Sequence, residues 1–391
     1  MVNTLPAVLI GGPSHAGKSV LFYSLTHALR LRGIRHHAFR ACPDGEGNWT
    51  QESDAETVSQ IRKSLKGEWP ESFVERICFN LEHRCLPLLV DMGGHPKDSQ
   101  INMLRQCTHA VLLLRTDKPD CTQLWQRLVV EADLLPLAQL YSQRDGISTI
   151  TAHAPVLEGT LSGLERYNTT LLKGPVFDEL VERISSLFNS YSPQELEKVF
   201  LEQAPTELIV NLYDALHALD PSATRWEPEM LAPFLASVPT NTPLSVYGMG
   251  SNWVYAALAA HTEHQSLYQF DPKLPFGWIQ PLALQLSSER FPEVLVKPYP
   301  YDDVTKLSIS FPSHRLEYFQ PLPLPFPSVR TDVGLIIDGP LPYWLLTALV
   351  RLYKEAGVPW IAVYYPQSTK AIVVYSRVET NRPGDYIPMP A

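Results

Sequence analysis

No apolar run in this chain approaches the roughly 18 residues of a membrane span, and no basic stretch followed by an apolar core opens it. Neither a spanning helix nor a leader peptide is therefore expected. Cysteine is scarce: Cys42, Cys78, Cys85, Cys107 and Cys121 are odd in number, crowd the first third and form no CxxC pair. That excludes a disulfide framework and a zinc site, and points to reduced thiols and a cytoplasmic location. Positive charge is also in short supply. The net charge of -9 excludes a broad duplex-nucleic-acid footprint, though it leaves room for a local basic site for a small anion.

What is present is the composition of a folded protein, 45% hydrophobic and 19% charged. A length of 391 residues suggests two or three domains. Residues 6–11 are short, apolar and end in glycine, as a buried parallel strand does. Leu21, Leu25, Ala28 and Leu29 follow at helical spacing, and Gly33 stands where a C-terminal cap belongs. Strands near 35–41, 86–90 and 110–114 alternate with helices, the last spanning 177–188. This pattern predicts a parallel α/β sheet over residues 1–195.

The rest of the chain is richer in proline and aromatics, and it repeats. Leu244-Ser-Val-Tyr-Gly-Met-Gly-Ser-Asn-Trp253 aligns with Leu335-Ile-Ile-Asp-Gly-Pro-Leu-Pro-Tyr-Trp344. Gly248 and Gly339 stand 91 residues apart, as do Trp253 and Trp344. Each copy continues into a helix and then a strand ending in proline, at Pro272 and Pro366. Two copies of one small βα module are expected, 206–298 and 305–391, paired as an internal pseudo-dimer.

Gly12-Pro-Ser-His-Ala-Gly17-Lys18-Ser19 fits GxxxxGK[ST] without exception, with a strand before it and a helix after. Gly12 and Gly17 let backbone N–H groups curl around phosphate oxygens, and the following helix aims its positive end at them. Lys18 adds a cation, and Ser19 a hydroxyl for magnesium. Asp91 ends an apolar strand where the magnesium-orienting carboxylate of a P-loop NTPase sits, and Gly93 is placed to approach the γ-phosphate. ATP and Mg2+ are the expected ligands. Asp44 and Glu46 follow the second strand and suit either an acceptor-binding edge or a glycine-rich surface loop. Thr116-Asp117-Lys118 is a weaker candidate for base contact. No arginine stands out.

The second copy, through Val333–Leu345, Val358–Pro366, Ala371–Val374 and Arg382–Asp385, resembles the small CRISPR-associated ring nucleases. That family cleaves the cyclic tetra-adenylate messenger of type III systems. The resemblance covers about 305–391 and, through the repeat, 206–290 more loosely. It implies Rossmann-like modules related to the CARF fold, a helix-borne histidine and an aspartate before proline as catalytic groups, and Mn2+ as helper. The second copy departs from the pattern: Tyr365 replaces the aspartate, and no histidine lies between Arg351 and Tyr365. The first copy keeps both, His264 and Asp271, with His261 one turn earlier. Lys273 takes the place of a basic, phosphate-contacting residue. Ser251 and Asn252 begin the first module's helix, where an anion is welcome. Asp338 at the matching turn disfavours phosphate.

The chemistry is self-consistent. A histidine can protonate a leaving ribose oxygen, a carboxylate can hold a metal against a phosphodiester, and the RNA's own 2′-hydroxyl can attack. Trp253, Trp278, Trp344 and Trp360 suit either adenine stacking or the core. The expectation is an α/β protein, a P-loop NTPase sheet followed by two modules, that binds ATP and cleaves cyclic tetra-adenylate as a homo-oligomer. A nucleotide or small-molecule kinase with a non-catalytic second half, and a cyclic-oligoadenylate sensor gating ATP hydrolysis, remain open.

Overall fold

Strand β1 (Ala7–Gly11) is buried at every residue, because helices cover both faces of its sheet. In the computed structural model, residues 5–41, 71–93, 96, 101–164, 172–312, 318 and 323–390 are described. Asp44, Glu46 and Gly94 lie outside them. The chain divides into two units, Met1–Phe200 with Pro272–Gly277, and Leu201–Asp271 with Trp278–Ala391.

The first unit continues with α1 (Lys18–Leu31), β2 (His37–Ala41), α2 (Glu71–Glu82), β3 (Leu88–Met92), α3 (Ile101–Arg105) and β4 (His109–Leu114). After these come α4 (Pro119–Glu131), β5 (Leu135–Ser142), β6 (Thr149–Ala152), β7 (Leu157–Leu161), α5 (Pro175–Phe188) and α6 (Pro193–Glu202). The seven-stranded sheet has the order β2-β3-β1-β4-β5-β7-β6, with only β6, on the edge, antiparallel. Val8 and Ile10 point into one core with Leu21, Leu25, Leu180 and Ile184, while Ala7 and Leu9 point into the other with Ile77, Leu81 and Trp125. The period of two in β1 thus feeds both layers. Helix α1 ends as its sequence predicts. Gly33 takes φ +70, and Ile34 N donates to Leu29 O at 3.0 Å, the closing bond of a Schellman-type cap.

The second unit holds two modules of one topology. The first comprises β8 (Leu208–Asn211), α7 (Leu212–Leu219), α8 (Leu231–Ser237), β9 (Leu244–Tyr247), α9 (Asn252–His261), β10 (Leu267–Phe270) and β11 (Trp278–Ile279). Its strands pair parallel, parallel, antiparallel, in the order β8-β9-β10-β11. A short parallel pair, β12 (Leu284–Leu286) with β15 (Leu324–Phe326), lies between the modules in sequence. The second comprises β13 (Leu295–Pro300), β14 (Val304–Ser310), β16 (Gly334–Asp338), α10 (Tyr343–Glu355), β17 (Trp360–Tyr365), β18 (Lys370–Ser376) and β19 (Tyr386–Pro388). Within its six-stranded sheet β14-β16-β17-β18 repeat the same pairing sequence, and β13 and β19 add antiparallel edges.

Helices α9 and α10 pack on each other. Tyr255 stacks on Tyr343 at 4.4 Å near their N-termini. Near their C-termini Arg351 and Lys354 donate to the carbonyls of Ala259 and Ala260. The two helices therefore run in the same direction. Every residue of α9 from Trp253 to Ala260 is buried, as expected for a helix apolar on all sides.

Candidate functional site

The turn after β1 is built for a phosphate. Gly12 takes φ +139, and a Cβ there would stand 2.0 Å from the carbonyl oxygen of Leu113. Gly17, the N-cap of α1, takes φ +91, and a Cβ there would stand 2.6 Å from Leu164. Any side chain at either position would force the loop open. Lys18 is buried, and its Nζ donates to the carbonyl of Pro13 at 2.9 Å, folded back along the loop it would share with a phosphate. Ser19 Oγ donates to Asp91 Oδ2 at 3.1 Å. Asp91 is 2% exposed and sits in register with Ile10 of the neighbouring β1. Gly93 follows β3 at the same edge and is half-buried.

The residues present fit a magnesium–nucleoside triphosphate. Two positions that exclude a Cβ shape the cradle, and a hydroxyl and a carboxylate meet at the start of α1. Magnesium needs only one or two protein oxygens, the remainder coming from phosphates and water. Asp117 is otherwise engaged, accepting from Arg115 Nε at 2.8 Å. That pairing holds its carboxyl below the usual carboxylate range. Arg115 also donates to the carbonyl of His15 in the P-loop turn.

In the second unit, Ser251, Asn252 and Asp271 share the carboxyl edge of the β8–β10 sheet. This edge is where open α/β sheets take ligands. Ser251 is the N-cap of α9. Tyr255 Oη donates to the carbonyl of Gly248 at this edge. Burial first, and then the charge of Asp271, hold the phenol of Tyr343 above its ordinary pKa, so Asp271 lies near the start of α10. Burial likewise raises Tyr255, with Tyr343 and, more weakly, Asp271 adding to it. At the matching turn Asp338 is neutralised by Lys306, whose Nζ lies 3.1 Å from Oδ2. Lys273 belongs with the Pro272–Gly277 segment that groups with the first unit.

His264 is elsewhere. It precedes β10 and lies 3.8 Å from Glu355, the last residue of α10. Its side chain is 83% exposed, and it lines a cavity of about 310 Å³ with Gln265, Gln280, Arg351 and Glu355. This corrects the expectation that His264 and Asp271 act on one phosphodiester within one module. Asp271 lies near the start of α10 and His264 beside its last residue. A helix of 13 residues separates those ends by roughly 18 Å. The sequence spacing hid this, because a strand between two residues carries them to opposite edges of its sheet. His261 instead bonds through Nε2 to the carbonyl of Val238 at 2.7 Å, a packing role.

A manganese ion at Asp271 would take most of its ligands from phosphate and water. Among the described residues no group of three or more His, Cys, Asp or Glu is placed to hold a metal ion. The groups shown near Asp271 are the phenols of Tyr255 and Tyr343. Trp253, Trp278 and Trp344 are buried and belong to the core rather than to a stacking surface, and Trp360 is partly buried, packed over Gly334.

Residues 312–388, most of the second module, match the family described as CRISPR-associated protein (Cas_csx3). No curated protein matches the chain. Among solved structures, it is similar to a chain described as a plasmid partition protein from Borrelia burgdorferi B31, bound to AMPPNP. That likeness has 12% identity over 51% of this chain and 100% of that one, at a TM-score of 0.31. It is also similar to the signal recognition particle receptor FtsY from Elizabethkingia anophelis in complex with GDP (15% identity, 49% of this chain, 65% of that one, TM-score 0.27). A GTPase in apo form from Pyrococcus abyssi shows 10% identity over 52% of this chain and 86% of that one, at a TM-score of 0.24. Likenesses this distant assign no ligand, and what the turn could bind rests on its own geometry.

That geometry adds one residue that sequence reading missed. Arg40, on β2, is in register with Asp91 and only 6% exposed. Its Nε donates to Asp91 Oδ2 at 3.2 Å, and a terminal nitrogen to Ser19 Oγ at 3.2 Å. The signal was an arginine inside a predicted strand, where a charge is costly unless it is paired.

Proposed function

We propose that this chain is a CRISPR-related protein that binds ATP at the P-loop and binds and linearises cyclic tetra-adenylate through its repeated modules. The observation that carries the second half is the parallel pairing of α9 and α10. It sets the N-termini of two module helices side by side at one end of the unit, where partial positive charge can meet the phosphates of a ring. The match of residues 312–388 to the Cas_csx3 family supports the same reading.

At the P-loop, Gly12 and Gly17 keep the backbone N–H groups close to the phosphates, Lys18 pairs with their charge, and Ser19 and Asp91 hold the metal side. Magnesium, when bound, would neutralise charge on the phosphates. Gly93 lies where its N–H can approach the γ-phosphate.

For the ring, Ser251 and Asn252 hold phosphate. Cleavage needs a ribose 2′-hydroxyl to lose its proton and attack phosphorus, and the 5′-oxygen to leave with a proton. Asp271 takes the first and His264 supplies the second. Since these groups stand at opposite ends of α10, one cut draws them from two copies of the chain, in keeping with a homo-oligomer. The test is incubation with labelled cyclic tetra-adenylate, with and without ATP and with and without manganese. Linear product is expected, with manganese aiding its formation. Tight binding with no product would move the chain to the sensor reading, which the separation of His264 from Asp271 and the loss of both groups from the second copy favour. An absence of binding would favour the kinase reading.

A further inference from the structure

Three polar groups close on one another at the end of the P-loop. Ser19 Oγ donates to Asp91 Oδ2 at 3.1 Å. Arg40 Nε donates to the same carboxylate oxygen at 3.2 Å. A terminal nitrogen of Arg40 donates to the same hydroxyl oxygen at 3.2 Å. The pair is deeply buried, at 6% and 3% side-chain exposure. The arginine thus lies against the two oxygens that a P-loop offers to magnesium.

A guanidinium and a divalent cation cannot share these oxygens, because both are positive and both need the same lone pairs. For the metal to enter, Arg40 has to leave Asp91. A buried arginine leaves a carboxylate at little cost only if a second anion receives it, since an uncompensated buried charge is strongly destabilising. A γ-phosphate, held by Lys18 and the loop, is such an anion. Two oxygens of its tetrahedral phosphoryl group can accept from the fork of an arginine, as a carboxylate does. A nucleoside diphosphate brings no phosphate to that place, and the arginine then stays on Asp91.

We propose that Arg40 is an internal counter-ion that keeps Ser19 and Asp91 closed to magnesium until a triphosphate arrives, so that the chain distinguishes ATP from ADP. This rests on the reading of the P-loop as a nucleotide site. It assigns Arg40 as a positioning residue and makes metal entry contingent on the γ-phosphate.

The experiment is calorimetric binding of ATP and of ADP, each with and without magnesium, to the full chain and to the Arg40→Gln and Arg40→Lys variants. In the natural chain ATP affinity should depend on magnesium and ADP affinity should not. Arg40→Gln should make ADP binding magnesium-dependent and narrow the ATP-over-ADP preference by roughly tenfold, the weight of one charge-assisted hydrogen bond. Arg40→Lys, which keeps the charge and is the safer variant for folding, should shift the preference part-way. An ATP-over-ADP ratio within twofold of the natural chain in both variants would overturn the proposal, as would ADP binding that already responds to magnesium in the natural chain. If the natural chain binds neither nucleotide and Lys18→Ala changes nothing, the P-loop reading itself has failed and takes the proposal with it.

Discussion

Arg351 donates through one terminal nitrogen to Thr262 Oγ1 at 2.7 Å and to the carbonyl of Gln265 at 2.8 Å, while its Nε reaches the carbonyl of Ala259 at 3.1 Å. One side chain of the second module thus satisfies carbonyls at the C-terminus of the first module's helix, where intrahelical partners run out. Burial lowers the pKa of its guanidinium. Arg351→Met should destabilise the chain by ~2 kcal/mol, because buried acceptors lose a charged donor. Arg351→Lys should recover part of the loss. Chemical denaturation reads this, and an unmoved midpoint for Arg351→Met would refute the linkage.

Lys18→Ala should abolish tight ATP binding while leaving the fold intact, since it removes the cation of the phosphate-binding turn, where Nζ donates to Pro13 O. Gly12→Ala should also abolish binding, by forcing the turn open, because its Cβ would press on Leu113 O. Calorimetry and far-ultraviolet circular dichroism together check both. Unchanged affinity in either variant would remove the nucleotide site from this turn.

The two ends of α10 make a prediction about mixtures. His264→Ala and Asp271→Ala should each slow cleavage of cyclic tetra-adenylate by ~10²–10⁴-fold, the usual cost of losing a positioned acid or base. If one cut draws the two groups from different copies, mixing the two inactive variants should restore part of the activity. Tyr365→Ala should cost much less. Single-turnover cleavage measures all of these, and a mixture no more active than its components would refute sharing between copies.

Burial first, with the neighbouring charges of His36 and Arg30, brings the pKa of His37 down to about 4. The unfolded chain takes up the proton near the ordinary value of about 6.5. Stability contributed by neutral His37 is therefore complete above about pH 6.5 and is lost as pH falls toward 4. The shift amounts to about 3 kcal/mol. Denaturation midpoints between pH 7 and 5 should fall, and His37→Gln should flatten that slope. An unchanged slope in the variant would show that other groups dominate.

How much was legible in the sequence follows from the range of each interaction. Gly12 to Ser19 could be read directly, because a P-loop is specified by eight consecutive residues and their flanks. The repeat was legible through Gly248 and Gly339 and through Trp253 and Trp344, which fall at equivalent turns and helices. The partnership of Arg40 with Asp91 was not, since they stand 51 positions apart in the chain and only sheet register brings them together. The separation of His264 from Asp271 was hidden for the opposite reason. They are near in sequence and far in space, and a motif records order but not the length of the strand inside it. Nothing in the sequence pairs Arg351 and Lys354 with their acceptors, which belong to the other module.

Two identical modules related by a symmetry axis must change together, so a substitution good for one half is imposed on the other. Here the halves are encoded separately and joined in one chain, and the packed pair α9 and α10 already differs in length, 10 residues against 13. Each half is then free to drift on its own. A tyrosine can take an aspartate's place on one side, a basic side chain can serve as the other side's helix cap, and neither change is paid back in duplicate. Covalent joining also fixes the ratio of the two halves at one to one whatever the protein concentration, so dilution cannot pull this pair apart.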